Sequence, residues 1–219
     1  MEISYWQGRW RKDKTGWHMN KVFLPLKTFW PYLRLKPGDT VLVPLCGKSL
    51  DIDWLAEQGH HVIGVEVSER ALQELMSRLP ASFHPSAKGP FTCYKSPSIE
   101  LWCGDILKIK KEWLPPIDAI YDKAALIALP GEMRSRYATH IQALIHSHSQ
   151  IFINCFEYEQ QEMPGPPFAV FEEELRAYFG DHFTLDCLHS HSLFDELTNF
   201  QRRGLHSYLK EKVYHLYLK

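Results

Sequence analysis

An α/β fold with a doubly wound, mostly parallel sheet is predicted by three features of this sequence. Short apolar, β-branched runs alternate with helical patterns along most of the chain. The first run ends in a glycine turn that leads into a helix. The second ends in an acidic residue 19 positions after that glycine. Alternation of this kind implies parallel strands with helices on both faces.

Strand runs are predicted at residues 40–45, 61–67, 99–103, 119–121 and 150–156, and a helix is predicted to begin after Ser49. Ser68 is placed to cap a helix in which Leu72, Leu75, Met76 and Leu79 recur on one face. A second helix after Pro130-Gly131 gathers Met133, Tyr137, Ile141, Leu144 and Ile145. The last third reads differently. Residues 183–187 and 213–218 look like two strands with a turn-rich stretch between them, which predicts an antiparallel hairpin at one sheet edge.

The 219 residues form no internal repeat and hold no Ser/Gly linker, so a single domain over 1–219 is expected. Hydrophobic residues make up 45% and charged residues 23%, enough core for folding without disulfides or metals. The net charge of −1 provides no electrostatic footprint for nucleic acid or an anionic membrane. Five scattered cysteines without a CxxC argue for reduced thiols. The start, Met1-Glu2-Ile3-Ser4-Tyr5-Trp6, lacks a signal-peptide pattern, and no apolar run approaches about 18 residues. These readings place the protein in the cytoplasm, acting on a small molecule.

In open α/β sheets ligands bind beyond the carboxyl ends of the strands, where strand order reverses. The first strand runs into Val43-Pro44-Leu45-Cys46-Gly47-Lys48-Ser49. Gly47 permits a tight turn and close backbone approach to a ligand. The tail Gly47-Lys48-Ser49 looks like a P-loop, but that pattern requires glycine where Leu42 stands, and no GxGxxG is present. Glu66, at the end of the second strand, suits hydrogen bonds to both hydroxyls of a ribose. A ribose-bearing cofactor without a pyrophosphate loop points to S-adenosylmethionine rather than a dinucleotide. Asp105 and Ile106 end the third strand, where an acidic and an apolar side chain suit an adenine, although Gly104-Asp105 also reads as a plain turn. Asp122 and Lys123 follow the fourth strand and are candidates for the edge where an acceptor meets the methyl group.

Five stretches resemble the thiopurine S-methyltransferase family, particularly its bacterial members. They are Trp6-Gln7-Gly8-Arg9-Trp10 with Trp17-His18, Val43 through Asp51, Gly59 through Glu66, Tyr121 through Pro130, and Gly165-Pro166-Pro167-Phe168. They occur in family order over about three quarters of the chain. The resemblance implies a class I S-adenosylmethionine-dependent methyltransferase fold in which residues 1–35 form a helical cover over the cofactor. Trp10, Leu45 and Glu66 match cofactor-binding positions of the family. A fourth such position, normally arginine, is Lys123, which keeps the charge and loses the planar fork. The family can also place a basic residue from the C-terminal region at the acceptor. Arg202 and Arg203 lie there, with Arg203 as the candidate.

The expected activity is in-line methyl transfer to the thiol of a small aromatic or heterocyclic, thiopurine-like acceptor, with S-adenosylhomocysteine as product. Lys123 would favour the acceptor thiolate. Trp6 and Trp17 would stack on a flat acceptor, and Pro167 and Phe168 would lie over the same mouth. Alternatives are methylation of selenium or tellurium compounds in detoxification, and a non-catalytic cofactor-binding protein of this fold. A monomer is sufficient for any of these. His146/His148 and His189/His191 would share a face if they lay on strands, yet no carboxylate or cysteine stands at ligand spacing, so no metal is expected. Cys46 reads as a small apolar residue, and Lys108, Lys110 and Lys111 as a solvated loop.

Overall fold

The computed structural model describes residues 3–219. Met1 and Glu2, the start of the N-terminal reading above, lie outside the described residues. Contacts divide the chain into two compact units, Met1–Tyr121 with Leu144–His146, and Asp122–Ala143 with Ser147–Lys219.

The first unit begins with helices α1 (Ile3–Arg11) and α2 (Leu24–Phe29) and a 3-10 turn, Trp30–Leu33. It continues through β1 (Thr40–Pro44), α3 (Asp51–Glu57), β2 (His61–Glu66), α4 (Glu69–Arg78), β3 (His84–Lys88), β4 (Phe91–Lys95) and β5 (Ile99–Cys103). Strand β6 (Ala119–Lys123) starts in this unit. Strands β5, β2, β1 and β6 are parallel neighbours in that order, and β4 and β3 continue antiparallel beyond β5. From β1 the chain winds outward through β2 to β5, then returns to the other side of β1 as β6. The order therefore reverses at β1, and its carboxyl end is the switch point. All of β1 is buried, as the unbroken run Thr-Val-Leu-Val-Pro requires of a central parallel strand.

Ser68 caps α4 as expected, accepting a hydrogen bond from the amide of Ala71 at 3.4 Å. Ala71, Leu72 and Leu75 are buried. Met76 is half-buried and Leu79 falls at the C-cap, so the apolar face is shorter than its spacing suggests. The hairpin β3–β4 has no counterpart among the predicted strands. Its first strand, His84-Pro85-Ser86-Ala87-Lys88, is almost wholly exposed and shows no apolar alternation. It exists because Gly89, at φ +56°, turns the chain back onto β4, whose Phe91 and Cys93 are buried. Pro85 is tolerable there because the strand pairs with β4 alone in this unit.

The second unit holds the end of β6, a 3-10 turn Leu126–Ala128, α5 (Gly131–Leu144) except its last residue, β7 (Gln150–Glu157), α6 (Glu172–Phe179), β8 (Phe183–Ser192), α7 (Thr198–Gln201) and β9 (Lys210–Leu218). In α5, Tyr137, Ile141 and Leu144 are buried, as is Ile145 just beyond, while Met133 is half-buried. The C-terminal hairpin forms as expected, with β9 antiparallel to both β8 and β7. Both hairpin strands are longer than predicted, because polar residues such as His191 and Ser192 gain ladder partners in Glu211 and Lys210. Helix α6 was not legible. It buries just Leu175 and Phe179, and its Glu172-Glu173-Glu174 first turn suits a helix N-terminus better than it signals one. His146 and His148 lie in the turn after α5, so they share no strand face. His189 and His191 do share a face of β8, their rings stacked with centroids 5.9 Å apart. No described helix is long and apolar enough to cross a membrane.

In the first unit, Asp51 is 1% exposed and its carboxylate joins two distant segments. It accepts the amide of Phe23 at 2.8 Å and the hydroxyl of Tyr121 at 2.8 Å. Asp51→Ala removes the buried acceptor of both bonds, so the unfolding free energy in urea is expected to fall by about 2–4 kcal/mol.

Candidate functional site

At the carboxyl end of β2, Glu66 is 6% exposed, and its two oxygens take different backbone partners. Oε2 accepts the amide of Gly47 at 3.0 Å, and Oε1 accepts the amide of Ser68 at 2.9 Å. Two sequence segments 19 residues apart are thereby stitched together by one carboxylate. Its backbone takes part as well. The amide of Gly104, just past β5, donates to the Glu66 carbonyl at 2.9 Å. Burial pushes the Glu66 carboxyl up to about 7, against the opposing pull of the Ser68, Gly47 and Val67 amides.

The turn after β1 is wound by two left-handed residues, Leu45 at φ +48° and Gly47 at φ +53°. The first costs about 1 kcal/mol or more for a side chain of this type. A Cβ at Gly47 would come within 2.9 Å of Trp10 Cζ2, so the missing side chain is what lets the buried indole of α1 lie on the turn. The amide of Cys46 donates to the Val65 carbonyl at 3.0 Å. Burial drives the Cys46 thiol well above its usual range, consistent with a packing role and not a nucleophilic one. Beyond the glycine, Arg78 grips the turn from α4. Its guanidinium donates to the carbonyls of Lys48 at 2.8 Å and Ser49 at 2.7 Å, and is itself held by Asp53 at 2.7 and 2.9 Å.

Three tryptophans stack edge-on above this turn. Trp10 and Trp17 have centroids 5.8 Å apart, and Trp17 and Trp6 5.3 Å. Arg9 lies 5.2 Å from the Trp17 ring, and Gln7 Nε2 donates to the Val67 carbonyl at 3.1 Å. At the end of β5, Cys103 is the register partner of Glu66. Asp105 follows it but turns inward on its own loop, accepting the amide of Leu107 at 3.0 Å, and Ile106 is buried. Trp10, Leu45, Gly47, Glu66, Asp105 and Ile106 thus lie in one unit, at one end of its parallel strands.

In the second unit Asp122 is 2% exposed and fully engaged. It accepts the amides of Ala125 and Leu126 at 3.1 and 3.0 Å and the hydroxyl of Tyr137 at 2.7 Å. Burial raises its carboxyl to about 6. Lys123 is half-buried and feels the charge of Glu211 on β9. Ala124, at φ +66°, turns the chain sharply after it. The loop Gly165-Pro166-Pro167-Phe168 contains two cis peptide bonds and is pinned on several sides. The amide of Phe168 donates to Ile127 at 2.7 Å, and the Pro167 carbonyl accepts from Tyr158 at 2.7 Å. Arg203 donates to the carbonyls of Pro164 and Pro166 at 2.8 and 2.9 Å. Pro167, Phe168 and Arg203 are therefore one structural group, and Arg203, not Arg202, is the arginine bonded to this loop.

The model of the thiopurine S-methyltransferase family matches residues 1–219. The thiopurine S-methyltransferase of Pseudomonas fluorescens (strain SBW25) is 40% identical over the whole of both chains. That of Azotobacter vinelandii is 41% identical over 99% of each. The chain belongs to the thiopurine S-methyltransferase family. It is accordingly an S-adenosylmethionine-dependent methyltransferase. The class I fold is shown by solved structures of low identity. Burkholderia thailandensis 1,6-didemethyltoxoflavin-N1-methyltransferase superposes with a TM-score of 0.63 at 18% identity, covering 97% of this chain and 86% of its own. Magnesium protoporphyrin IX methyltransferase from Synechocystis, solved with bound S-adenosylhomocysteine, gives 0.62 at 16%, covering 99% and 97%.

The methyltransferase's buried carboxylate fits such a cofactor. The backbone amides around Glu66 do not exhaust the acceptor positions of a carboxylate, which leaves room for a hydroxyl partner. Arg78 and Asp53, which brace the turn, escaped the sequence reading. Their partners are 25 to 30 residues distant, and nothing local distinguishes them from ordinary helix-surface charges. The raised Glu66 carboxyl has a consequence for the protein without ligand. Between about pH 4.5 and 7 the folded chain keeps a proton that the unfolded chain releases, so this stabilisation is lost as pH rises. Urea unfolding at pH 5 and pH 8 is expected to show wild type losing roughly 2–3 kcal/mol more than Glu66→Gln over that interval.

Proposed function

We propose that residues 1–219 act as one methyltransferase domain that moves a methyl group to the thiol of a small aromatic or heterocyclic acceptor. The observation that carries this reading is the Glu66 carboxylate, buried at the end of β2 and bonded to the Gly47 turn that follows β1, in a member of this family. S-adenosylmethionine would supply an electrophilic methyl group and leave as S-adenosylhomocysteine. Glu66 binds the ribose hydroxyls, Leu45 and Gly47 present backbone to the cofactor, and Trp10 covers it. Asp105 and Ile106 serve the adenine by a polar and an apolar contact.

Lys123 favours the ionised acceptor through its positive charge, so no strong general base is needed. Asp122 belongs to the same reading as a positioning residue. Its oxygens are occupied by Ala125, Leu126 and Tyr137, and they set the course of the chain around Lys123. Trp6 and Trp17 offer ring faces to a flat acceptor, as does Phe168, while Pro167 and Arg203 shape and hold the Phe168 loop. Transfer from a sulfonium is slowed by misalignment and by water, so the contribution of these groups is orientation and exclusion.

Calorimetry is expected to give micromolar binding of both S-adenosylmethionine and S-adenosylhomocysteine; a folded sample that binds neither rejects the reading. With an aromatic thiol as acceptor, Lys123→Ala is expected to lose about tenfold in rate near neutral pH, equivalent to one unit of acceptor pKa. The deficit should shrink as pH rises and the thiol ionises unaided, while Lys123→Arg retains the wild-type rate. A pH-independent deficit would assign Lys123 to some other task.

A further inference from the structure

We propose that Glu74 is a positioning residue for methyl transfer, bridging the Lys48 turn to the end of helix α1 so that both are held in one arrangement. The inference rests on reading this strand edge as the cofactor site. Glu74 projects from α4, whose buried face is made by Ala71, Leu72 and Leu75. Its two carboxylate oxygens go to different cations. Oε2 meets Lys48 Nζ at 2.6 Å and Oε1 meets Arg70 Nε at 2.9 Å. Arg70 carries the connection onward, donating to the Arg11 carbonyl at 3.1 Å and to Asp13 Oδ1 at 2.6 Å. Lys48 carries it the other way, its ammonium 5.8 Å from the ring of Trp10, which itself lies against Gly47.

Four charges of alternating sign, Asp13, Arg70, Glu74 and Lys48, therefore run from the segment after α1 to the turn after β1, all within the first unit. Glu74 is the member that joins the two cations, one oxygen on each. Without it Lys48 and Arg70 lose their shared counter-ion, and the link between the turn and the segment after α1 is broken. Hydrogen bonds from Lys48 and Arg70 keep its carboxyl below the usual range, so the bridge is charged at neutral pH. The residues are partly exposed, with 24% to 42% of the Lys48, Glu74 and Arg70 side chains open to solvent. Salt therefore screens the chain of charges, which separates it from a packing contribution.

The test compares wild type and Glu74→Gln in about 0.02 M and about 1 M sodium chloride. S-adenosylhomocysteine, which carries no net charge, is titrated by calorimetry so that the ligand itself adds little salt dependence. Wild type is expected to weaken about fivefold at high salt, the scale of one partly exposed ion pair. Glu74→Gln should start about fivefold weaker at low salt and change little across the range. In parallel, trypsin without ligand should cut the variant faster than wild type after Arg11, Lys12 and Lys14 at low salt. A variant with wild-type affinity, or with the wild-type salt response, overturns the proposal, as does an unchanged cleavage rate. Wild type that binds no product overturns the cofactor reading itself, and the trypsin comparison then shows separately whether Glu74 holds the N-terminal segment.

Discussion

A buried carboxylate at a strand end is costly unless its oxygens are met by donors, and Glu66 meets that requirement with backbone amides rather than cations. The Gly47 amide comes from the turn after β1 and the Ser68 amide from the start of α4. The Glu66 carbonyl adds the Gly104 amide from beyond β5. Three chain segments thus converge on one residue, and the shape of the strand edge follows. The turn must bring its amide inward, which needs the left-handed conformation of Gly47, and the absent side chain there admits Trp10. Amides alone compensate burial incompletely, hence a carboxyl raised to about 7.

Around Glu66 the first unit is braced by paired charges. Arg78 fixes the carbonyls of Lys48 and Ser49 with a guanidinium fork that Asp53 orients, a geometry that lysine would not reproduce. Asp51, directly after the turn, reaches the opposite way to Phe23 and Tyr121. The turn after β1 is therefore held on one side by α4 and on the other by the N-terminal segment and β6.

The second unit solves a different problem with the same means. Asp122 uses its carboxylate on two amides and a tyrosine, which fixes where the chain goes around Lys123. The proline loop is tied down by Tyr158, Arg203 and Ile127, and its neighbours Tyr158, Met163, Phe200 and Leu205 form a small core of their own. Lys123, half-buried at the end of β6, lies within the electrostatic reach of Glu211 on β9.

By itself the sequence determined the features carried by local pattern. Unbroken apolar runs such as Thr40 to Pro44 can be satisfied by a central parallel strand, Ser68 caps a helix wherever it precedes one, and Gly47 and Glu66 stand at strand ends because the period of the runs puts them there. Motif order was enough to identify the family. Tertiary structure alone decided which charges touch. The bonds of Arg78, Glu74, Arg70 and Asp51 span up to 70 residues, and a lysine or glutamate on a helix surface looks the same whether it meets water or a partner. It also decided that β3 exists, since an exposed His-Pro-Ser-Ala-Lys segment becomes a strand through hydrogen bonds borrowed from β4 and not through any preference of its own. Short-range propensity is written residue by residue; long-range pairing depends on where the rest of the chain has already folded.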